Sequence, residues 1–373
     1  MTQSYSDGEF MNETAIHIHP GRRAVLQSAA TLALGAGLLR LSGAAQAADV
    51  QGAHLMTPSG KPLRGLYPIV ETPFTENDKL DTELLAGEVQ FLNRGRVAGM
   101  IWPVFASSWS TLSDAERIEG AETILAAGKG GRSAMAIAVQ NMAWDTPTSV
   151  RYAKHAAAHG ADAIVSIPPN NGWNVSDQVI LDYYKAIGAA TDLPLIVQSR
   201  GTMSVDLMVA LFNAIPTIRA TKDEVGNPLE RAPELMRRTN NKLAIWAAGG
   251  GTGNQLLQEL PLGFEGLCPT PQFADFLQQA MELYWAGKKQ QAYDMYARVQ
   301  GFATIPGATD YMMVARGVFK ETTKQRRQPM EPEALPPGGA RPAGAPRNAP
   351  LTEADKQFIR DAMNTYLKPY ALG

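Results

Sequence analysis

A regular alternation of short apolar runs with amphipathic stretches, which begins near Arg64, constrains the fold most strongly. Eight of these runs are almost continuously apolar and rich in Val, Ile, Leu and Ala, as strands buried in a parallel sheet are. The predicted strands are Leu66–Glu71, Ala98–Val104, Ala134–Val139, Ala161–Ile167, Leu193–Gln198, Thr217–Thr221, Leu243–Ala247 and Gly263–Cys268. Eight strands mostly separated by helices predict an α/β fold of the (β/α)8 barrel type, with a doubly wound open sheet as the structural alternative.

The stretches between the strands carry helical signals. Ser113 and Glu116, for example, have the spacing of a capping box. The helices predicted within the barrel are Thr82–Arg94, Ser113–Ala127, Ser149–His159, Ser176–Ala190 and Val205–Ala214. After Pro271 the pattern is helical only, with Phe273–Ala286, Lys288–Phe302, Asp310–Phe319 and a last helix that begins at Thr352. Residues 328–350 are dense in Pro, Gly and Ala, which predicts an extended loop.

The first segment has the three parts of an export signal. Arg22 and Arg23 precede an apolar run from Ala29 to Leu39, and Ala45-Gln46-Ala47 offers a small-x-small cleavage site. The arginine pair resembles that of a twin-arginine signal. A transmembrane anchor is the alternative, but the run is shorter than the ~20 residues that span a bilayer. We therefore expect a periplasmic protein with no stable membrane anchor after processing.

These observations divide the chain into four parts. We expect an export signal at residues 1–47, a linker at 48–63, the barrel at 64–271 and a C-terminal helical region at 272–373 that contains the Pro-rich loop 328–350. The 34 Lys and Arg nearly balance the 36 Asp and Glu, which argues against a general nucleic-acid binder. A single cysteine, Cys268, excludes an internal disulfide and a cysteine-based zinc site.

Several short motifs occur in an order and spacing that match a known family. They are Val70-Glu71-Thr72-Pro73-Phe74, Thr111–Arg117, His159–Val165, Pro168-Pro169, Tyr184–Ile187, Asp192–Pro194 and Ala220-Thr221-Lys222-Asp223. From about Arg64 to Phe319 the chain resembles the dihydrodipicolinate synthase/N-acetylneuraminate lyase superfamily. The resemblance implies a barrel followed by a helical bundle, a reaction through a lysine Schiff base with a small 2-oxo acid such as pyruvate, no cofactor, and a homo-oligomer, either dimer or tetramer.

Lys222 stands where this family carries its Schiff-base lysine, at the carboxyl end of the sixth predicted strand. In a barrel that end of a strand faces the active site. A neutral lysine amine attacks the carbonyl of a 2-oxo acid, and the protonated imine then withdraws electrons from the neighbouring carbon. The alternative is an ordinary lysine that is solvated or paired with Asp223 or Glu224.

The family's other site positions differ in this chain. Its Gly-Thr-Thr-Gly-Glu loop corresponds to Val104–Ser108, so Ser107 and Ser108 become the candidates for holding the substrate carboxylate. Its paired tyrosines correspond to Asn170 and Asn171, which we predict to be substrate-binding residues.

Gln198 replaces the tyrosine that ends the family's fifth strand and shuttles protons. An amide orients a water or binds a carbonyl but does not exchange a proton near neutral pH. We therefore keep Gln198 as a second catalytic candidate and expect a reaction that differs from that of the synthase.

Other residues near the predicted strand ends are further candidates. Arg200 is a candidate for clamping a carboxylate, with a solvated loop arginine as the alternative. Glu71 is a candidate replacement acid or base, or a buried partner of Lys222. Trp109 and Trp173 are positioned to stack on a substrate, although core packing is the more frequent role of a tryptophan.

We predict no metal site. His155 and His159 lie four residues apart on a predicted helix, which is a spacing that metal pairs use. The sequence shows neither a Glu between them nor a third ligand, so the pair is interpreted as part of a helix face.

Three functions therefore remain open. The first is a lyase or aldolase that acts through a Lys222 imine, and the second is a dehydratase or hydratase that uses the same imine. The third is an exported, non-catalytic barrel that binds a small organic acid.

The export signal generates the first testable prediction. Intact-mass analysis of periplasmic protein should show Ala48 at the N-terminus, and replacement of both Arg22 and Arg23 by Lys should block export. A product that keeps the arginine pair and fractionates with membranes would show an anchor instead.

Overall fold

Eight parallel strands lie side by side in one sheet, as the alternation predicted. The computed structural model describes residues 55–326 and 350–372. Its strands are β1 (Gly65–Leu66), β2 (Gly99–Trp102), β3 (Ala134–Ala138), β4 (Ala163–Ser166), β5 (Leu195–Ser199), β6 (Ile218–Asp223), β7 (Ala244–Ala247) and β8 (Gly266–Leu267). Every strand overlaps its predicted run, so the eight strand predictions are confirmed.

The order of the strands identifies the fold as a barrel. The order is β1-β8-β7-β6-β5-β4-β3-β2, so the first strand pairs with the last. A parallel bridge between Ile69 and Ile101 then joins the segment after β1 to β2. The backbone N–H of Val70 donates to the carbonyl of Ile101 at 3.0 Å in this bridge. The sheet therefore curls into a nearly closed (β/α)8 barrel, and the open-sheet alternative is excluded.

Two large rings fill the barrel interior, and small residues make room for them. Tyr67 and Trp246 stack with their ring centroids 4.3 Å apart. A Cβ at Gly99 would lie 2.1 Å from the Tyr67 ring, and one at Gly266 would lie 2.3 Å from the Trp246 ring. Alanines occupy interior positions on the neighbouring strands, at Ala134, Ala136, Ala138, Ala163, Ala220 and Ala244. Two glycines and a ring of alanines thus let the interior close around two aromatic side chains.

Helices follow the strands around the outside of the barrel. They are α1 (Thr82–Arg94), α2 (Asp114–Gly128), α3 (Thr146–Ala158), α4 (Asp177–Gly188), α5 (Val205–Ala214), α6 (Pro228–Arg238) and α7 (Leu256–Glu259). The first six begin after a residue whose side chain accepts a hydrogen bond from a backbone N–H of the first turn, namely Asp81, Ser113, Asp145, Ser176, Ser204 and Asn227. Helices α6 and α7 were not predicted from the sequence.

The described part of the predicted linker packs against the amino-terminal end of the barrel. Leu55 and Leu63 belong to the same buried cluster as the interior residues. The Asp162 carboxylate, just before β4, accepts hydrogen bonds from Ser59 Oγ, from Lys61 Nζ at 2.9 Å and from the Met135 backbone N–H at 2.8 Å. Residues 55–63 therefore form an ordered turn at the end of the barrel opposite to the carboxyl ends of the strands.

The C-terminal region is helical, as predicted. It contains α8 (Ala274–Trp285), α9 (Lys289–Ala303), α10 (Ala308–Ala315) and α11 (Glu353–Ala362). Arg316 forms a bidentate ion pair with Asp275, with N–O distances of 2.7 and 2.8 Å, and this pair ties the end of α10 to α8. No helix within the described ranges is long and apolar enough to cross a membrane. The predicted export signal and almost all of the loop 328–350 lie outside these ranges.

Candidate active site

The carboxyl ends of β5 and β6 bring four polar side chains to one side of the sheet. Gln198 pairs with Lys222 in the register of the two strands. Because side chains alternate along a strand, Arg200 follows Gln198 and Glu224 follows Lys222 on the same face. This face is the barrel interior, since Ile196 and Ala220, two residues earlier on each strand, lie in the interior cluster.

Glu224 is the centre of this group. Its Oε1 lies 3.0 Å from Lys222 Nζ. Its Oε2 accepts hydrogen bonds from Gln198 Nε2 and, at 3.2 Å, from Arg200 Nη1. Burial alone would raise the pKa of the Glu224 carboxyl, but the charges of Lys222 and Arg200 and these hydrogen bonds together lower it below its usual value. Glu224 is therefore ionised near neutral pH and is placed to exchange a proton with Lys222.

Residues on the opposite face of β6 from Lys222 hold the end of this strand in place. Asp223 is fully buried, and its Oδ2 accepts a hydrogen bond from Arg231 Nε at 3.1 Å. Burial raises the pKa of Asp223, although the Arg231 hydrogen bond and charge oppose that rise. Ser199 and Thr221 join β5 to β6 through hydroxyl groups 2.6 Å apart. These contacts fix the strand ends and so limit the movement of Lys222.

A close contact between two glycines positions Arg200. Gly172, in the loop after β4, and Gly201 both have positive φ, at 76° and 64°. A Cβ on Gly172 would lie 2.4 Å from the Arg200 carbonyl oxygen, and one on Gly201 would lie 2.3 Å from the Gly172 backbone. The two loops touch along their backbones, which only glycine permits here. The contact holds the chain at Arg200 beside Glu224.

The two candidate asparagines form the strained part of the loop after β4. Asn170 and Asn171 have φ values of 49° and 53°, in the left-handed region. Asn170 is exposed and donates through its side-chain amide to the Trp173 carbonyl at 2.7 Å, whereas Asn171 is buried. Backbone strain of this kind clusters at binding sites. Their predicted contact with substrate stays a prediction.

Ser107, the first candidate serine, lies in the loop after β2 and forms hydrogen bonds within the protein. Ser107 is fully buried, and its hydroxyl donates to the Val70 carbonyl and accepts from the Val104 backbone N–H at 3.3 Å. Ser108 is half-buried and has a φ of 54°, which makes it the sharp corner of the loop. A role for Ser107 in binding a carboxylate stays a prediction, and it would require these bonds to open.

Aromatic rings line this loop and meet Arg200. The Arg200 guanidinium lies 4.2 Å from the centre of the Phe105 ring. Phe105 packs edge-on against Trp109, which packs in turn against Trp144. Trp109 is 1% exposed, so its position is that of a core residue. Arg200 is thus held between the Phe105 ring and the Glu224 carboxylate.

Comparison with known proteins assigns the chain to a family. Residues 62–332 match the model of the Dihydrodipicolinate synthetase family, and this span is most of the chain. The chain belongs to that family. A 4-hydroxy-tetrahydrodipicolinate synthase of Methanosarcina mazei is 30% identical over 202 residues, which cover 51% of this chain and 64% of the synthase. The match thus spans just under two thirds of that relative.

Two further proteins are similar to this chain. An L-2-keto-3-deoxyarabonate dehydratase of Azospirillum brasilense is 24% identical over 293 residues, which cover 75% of this chain and 93% of the dehydratase. The solved structure of an N-acetylneuraminate lyase from Mycoplasma synoviae superposes with a TM-score of 0.63 and 19% identity, covering 82% of this chain and 98% of that one. The last similarity shows a shared fold.

Glu224 is the site residue that the sequence analysis did not single out. It entered there as one of two alternative partners that would make Lys222 an ordinary lysine. The alternation of side chains along β6 was the available signal, because a residue two places after Lys222 faces the same side. In the structure Lys222 does pair with Glu224 at the carboxyl end of β6, with side chains that are 7% and 17% exposed.

Glu71 belongs to a separate buried network. Its two carboxyl oxygens accept hydrogen bonds from Gln272 Nε2 at 2.9 Å and Gln325 Nε2 at 2.7 Å. Its backbone N–H donates to Glu88, a second buried acid, at 2.9 Å. Burial raises the pKa of Glu71 to about 7, against the effect of the two glutamine hydrogen bonds. The carboxylate that pairs with Lys222 is Glu224, so the idea of Glu71 as its buried partner gains no support.

The raised pKa of Glu71 predicts a pH-dependent stability. An unfolded glutamate ionises near 4.5 and the folded Glu71 near 7, so this group favours folding fully below the lower value and loses that contribution as the pH rises through about 7. We expect the free energy of unfolding of the unsubstituted protein, measured with urea, to fall between pH 4.5 and 8 by about 3 kcal/mol more than that of Glu71→Gln. Parallel pH curves for the two proteins would contradict the prediction.

Proposed function

We propose that this protein is a Schiff-base lyase that acts on a small 2-oxo acid through Lys222. The observation that carries the proposal is the 3.0 Å contact between Lys222 Nζ and Glu224 Oε1 at the carboxyl end of β6. A lysine in this position needs a base that removes its proton before it can attack a carbonyl, and Glu224 is in hydrogen-bond reach. Membership of the dihydrodipicolinate synthetase family supports the same chemistry.

In the first half of the reaction, Glu224 takes a proton from Lys222 and later returns it to the reacting group. The Lys222 ammonium gives a proton to Glu224, and the neutral amine adds to the keto carbon of the substrate. The nitrogen of the adduct loses a proton as the keto oxygen gains one, which leaves a carbinolamine. Glu224, now a carboxylic acid, returns its proton to the carbinolamine hydroxyl, which leaves as water. The product is a protonated imine beside an ionised Glu224.

Gln198 has a distinct part in this scheme. Its amide nitrogen holds Glu224, while its buried Oε1 accepts from no donor in the described part of the chain. A buried acceptor without a partner is costly unless a ligand supplies the donor. We infer that Gln198 Oε1 accepts a hydrogen bond from a substrate hydroxyl or from the carbinolamine. The residue then positions groups and exchanges no proton.

When the substrate is a 2-oxo acid with a hydroxyl group on C4, the imine allows two lyase outcomes. In carbon–carbon cleavage, a base takes the proton of the C4 hydroxyl, the C3–C4 bond breaks, and its electrons enter the imine to form an enamine. In dehydration, a base takes a proton from C3, and the C4 hydroxyl leaves with a proton as water. Dehydration is the alternative function: the dehydratase similarity over 75% of this chain supports it, and Glu224 beside the imine nitrogen is a candidate base for the C3 proton.

We also propose that the enzyme acts outside the cytoplasm. The support for this location is the arginine pair Arg22-Arg23, the apolar run after it and the small-residue site that ends at Ala47. A periplasmic location fits the degradation of external compounds better than a biosynthetic role. Homo-oligomer formation remains an expectation from the family resemblance.

Borohydride trapping tests the imine. The protein incubated with pyruvate and sodium borohydride should gain the mass of one reduced adduct, mapped by peptide mass spectrometry to Lys222. Lys222→Met should abolish the adduct and still unfold cooperatively, whereas Lys185→Met, at an exposed lysine of α4, should trap normally. An adduct that persists in Lys222→Met would overturn the assignment. Absence of trapping with every 2-oxo acid tried would favour a non-catalytic binding barrel.

A second prediction isolates the base. Glu224→Gln keeps the shape of the side chain but removes its basicity and turns one of its two acceptor oxygens into a donor. We expect the rate of adduct formation to fall by about 10²- to 10⁴-fold, the usual contribution of a general acid–base. Glu230→Gln, which removes a carboxylate from the surface of α6, serves as the matched control. An unchanged rate in Glu224→Gln would show that another group takes the proton from Lys222.

A further inference from the structure

Two neighbouring helices on the outside of the barrel bring together three metal-ligating side chains. Glu122 lies on α2, while His155 lies on α3 and His159 directly follows it. One ligand atom of each side chain lies within 4.8 Å of the others. Glu122 is the third ligand, which the sequence did not show. It lies 33 residues before His155 in the chain, so tertiary packing creates the cluster.

The distances within this cluster suit a small cation. Glu122 Oε1 lies 3.0 Å from His155 Nε2 and 3.6 Å from His159 Nε2. In a tetrahedral site with metal–ligand bonds of 2.0–2.1 Å, neighbouring ligand atoms lie about 3.3 Å apart. The observed separations bracket that value. Small rotations of the side chains would therefore allow all three atoms to contact one ion.

A hydrogen bond already orients one of the imidazoles. His159 Nδ1 lies 2.8 Å from the His155 backbone carbonyl. A carbonyl oxygen only accepts, so Nδ1 is the donor in this contact and Nε2 is the ring nitrogen left to bind a metal. His159 Nε2 is also the nitrogen that lies 3.6 Å from Glu122 Oε1. A histidine that donates from one ring nitrogen to a backbone carbonyl and binds metal with the other is a recurrent arrangement in metal sites.

The cluster is open to ions from solution. The exposed fractions of the His155, His159 and Glu122 side chains are 17%, 43% and 49%. The two imidazole rings lie side by side with centroids 4.0 Å apart and planes inclined at 31°. The two rings therefore lie against each other beside Glu122.

We propose that Glu122, His155 and His159 form a binding site for a divalent transition-metal ion. Two imidazoles and one carboxylate are ligands that zinc accepts, and the exposed side leaves room for water as a fourth ligand. The ion would link α2 to α3 and stabilise their packing on the outer face of the barrel, apart from the Lys222 chemistry. The proposal is therefore independent of the proposed lyase function.

Zinc titration of the untagged, chelator-treated full-length chain tests the proposal. Isothermal titration should show saturable zinc binding, and zinc should raise the melting temperature because it binds the folded state. His159→Gln and Glu122→Gln should each weaken this binding by about tenfold or more. Cobalt should give the visible absorption bands of a low-symmetry site, and these bands should disappear in both variants.

Matched controls separate this site from other ligands in the chain. Glu119→Gln removes an exposed carboxylate from α2 one turn earlier and should leave the affinity and the melting shift unchanged. Lys222→Met should also bind zinc normally. If zinc binds His159→Gln and Glu122→Gln as tightly as it binds the unsubstituted chain, or if zinc does not bind at all, the proposal is wrong.

Discussion

The ion pair between Lys222 and Glu224, 3.0 Å long, depends on the common register of two parallel strands. Gln198 and Lys222 occupy paired positions, and the next inward residues, Arg200 and Glu224, extend the same two rows toward the barrel mouth. A slip of one residue in either strand would turn its polar side chains out of the barrel. The hydroxyl contact between Ser199 and Thr221 and the glycine contact beside Arg200 oppose such a slip. The arrangement of the site is thus a consequence of how β5 and β6 are held together.

This ion pair is poorly suited to stabilising the fold. Charges removed from water lose hydration, and their mutual attraction repays that loss only when every polar atom is satisfied. Glu224 meets this condition through three donors, Lys222, Gln198 and Arg200. Gln198 Oε1 does not, because no described residue donates to it. This unsatisfied buried acceptor is better explained by a bound ligand than by stability.

The sequence predicted the barrel because each strand is a short apolar run between capped helices, and buried parallel strands have few other patterns. It missed α6, whose segment Pro228–Arg238 carries an internal proline and a largely polar surface, and α7, which is one turn long. For the candidate site, family resemblance pointed to Lys222, and period-two alternation was available to point to Glu224. The internal bonding of the Ser107 hydroxyl and the approach of Glu122 to His155 depend on contacts between segments far apart in the chain. No local pattern encodes such contacts.

Where the family carries a proton-relaying tyrosine this chain has Gln198, so the proposed proton acceptor of the site is Glu224, after the neighbouring strand β6. A tyrosine, with an ordinary pKa near 10, is protonated at neutral pH and relays protons as a donor. Glu224 has a lowered pKa and begins as an acceptor. Once the imine has formed on Lys222, the carbon C3 is two bonds from Nζ, whereas the C4 hydroxyl oxygen is four bonds away. In the proposed reaction, a carboxylate held 3.0 Å from Nζ is therefore a candidate base for the C3 protons. Proton removal at C3 opens the path to dehydration, and proton return at C3 completes carbon–carbon cleavage. A single carboxylate at this position serves the C3 step of both reactions, so the group that handles the C4 hydroxyl decides between them.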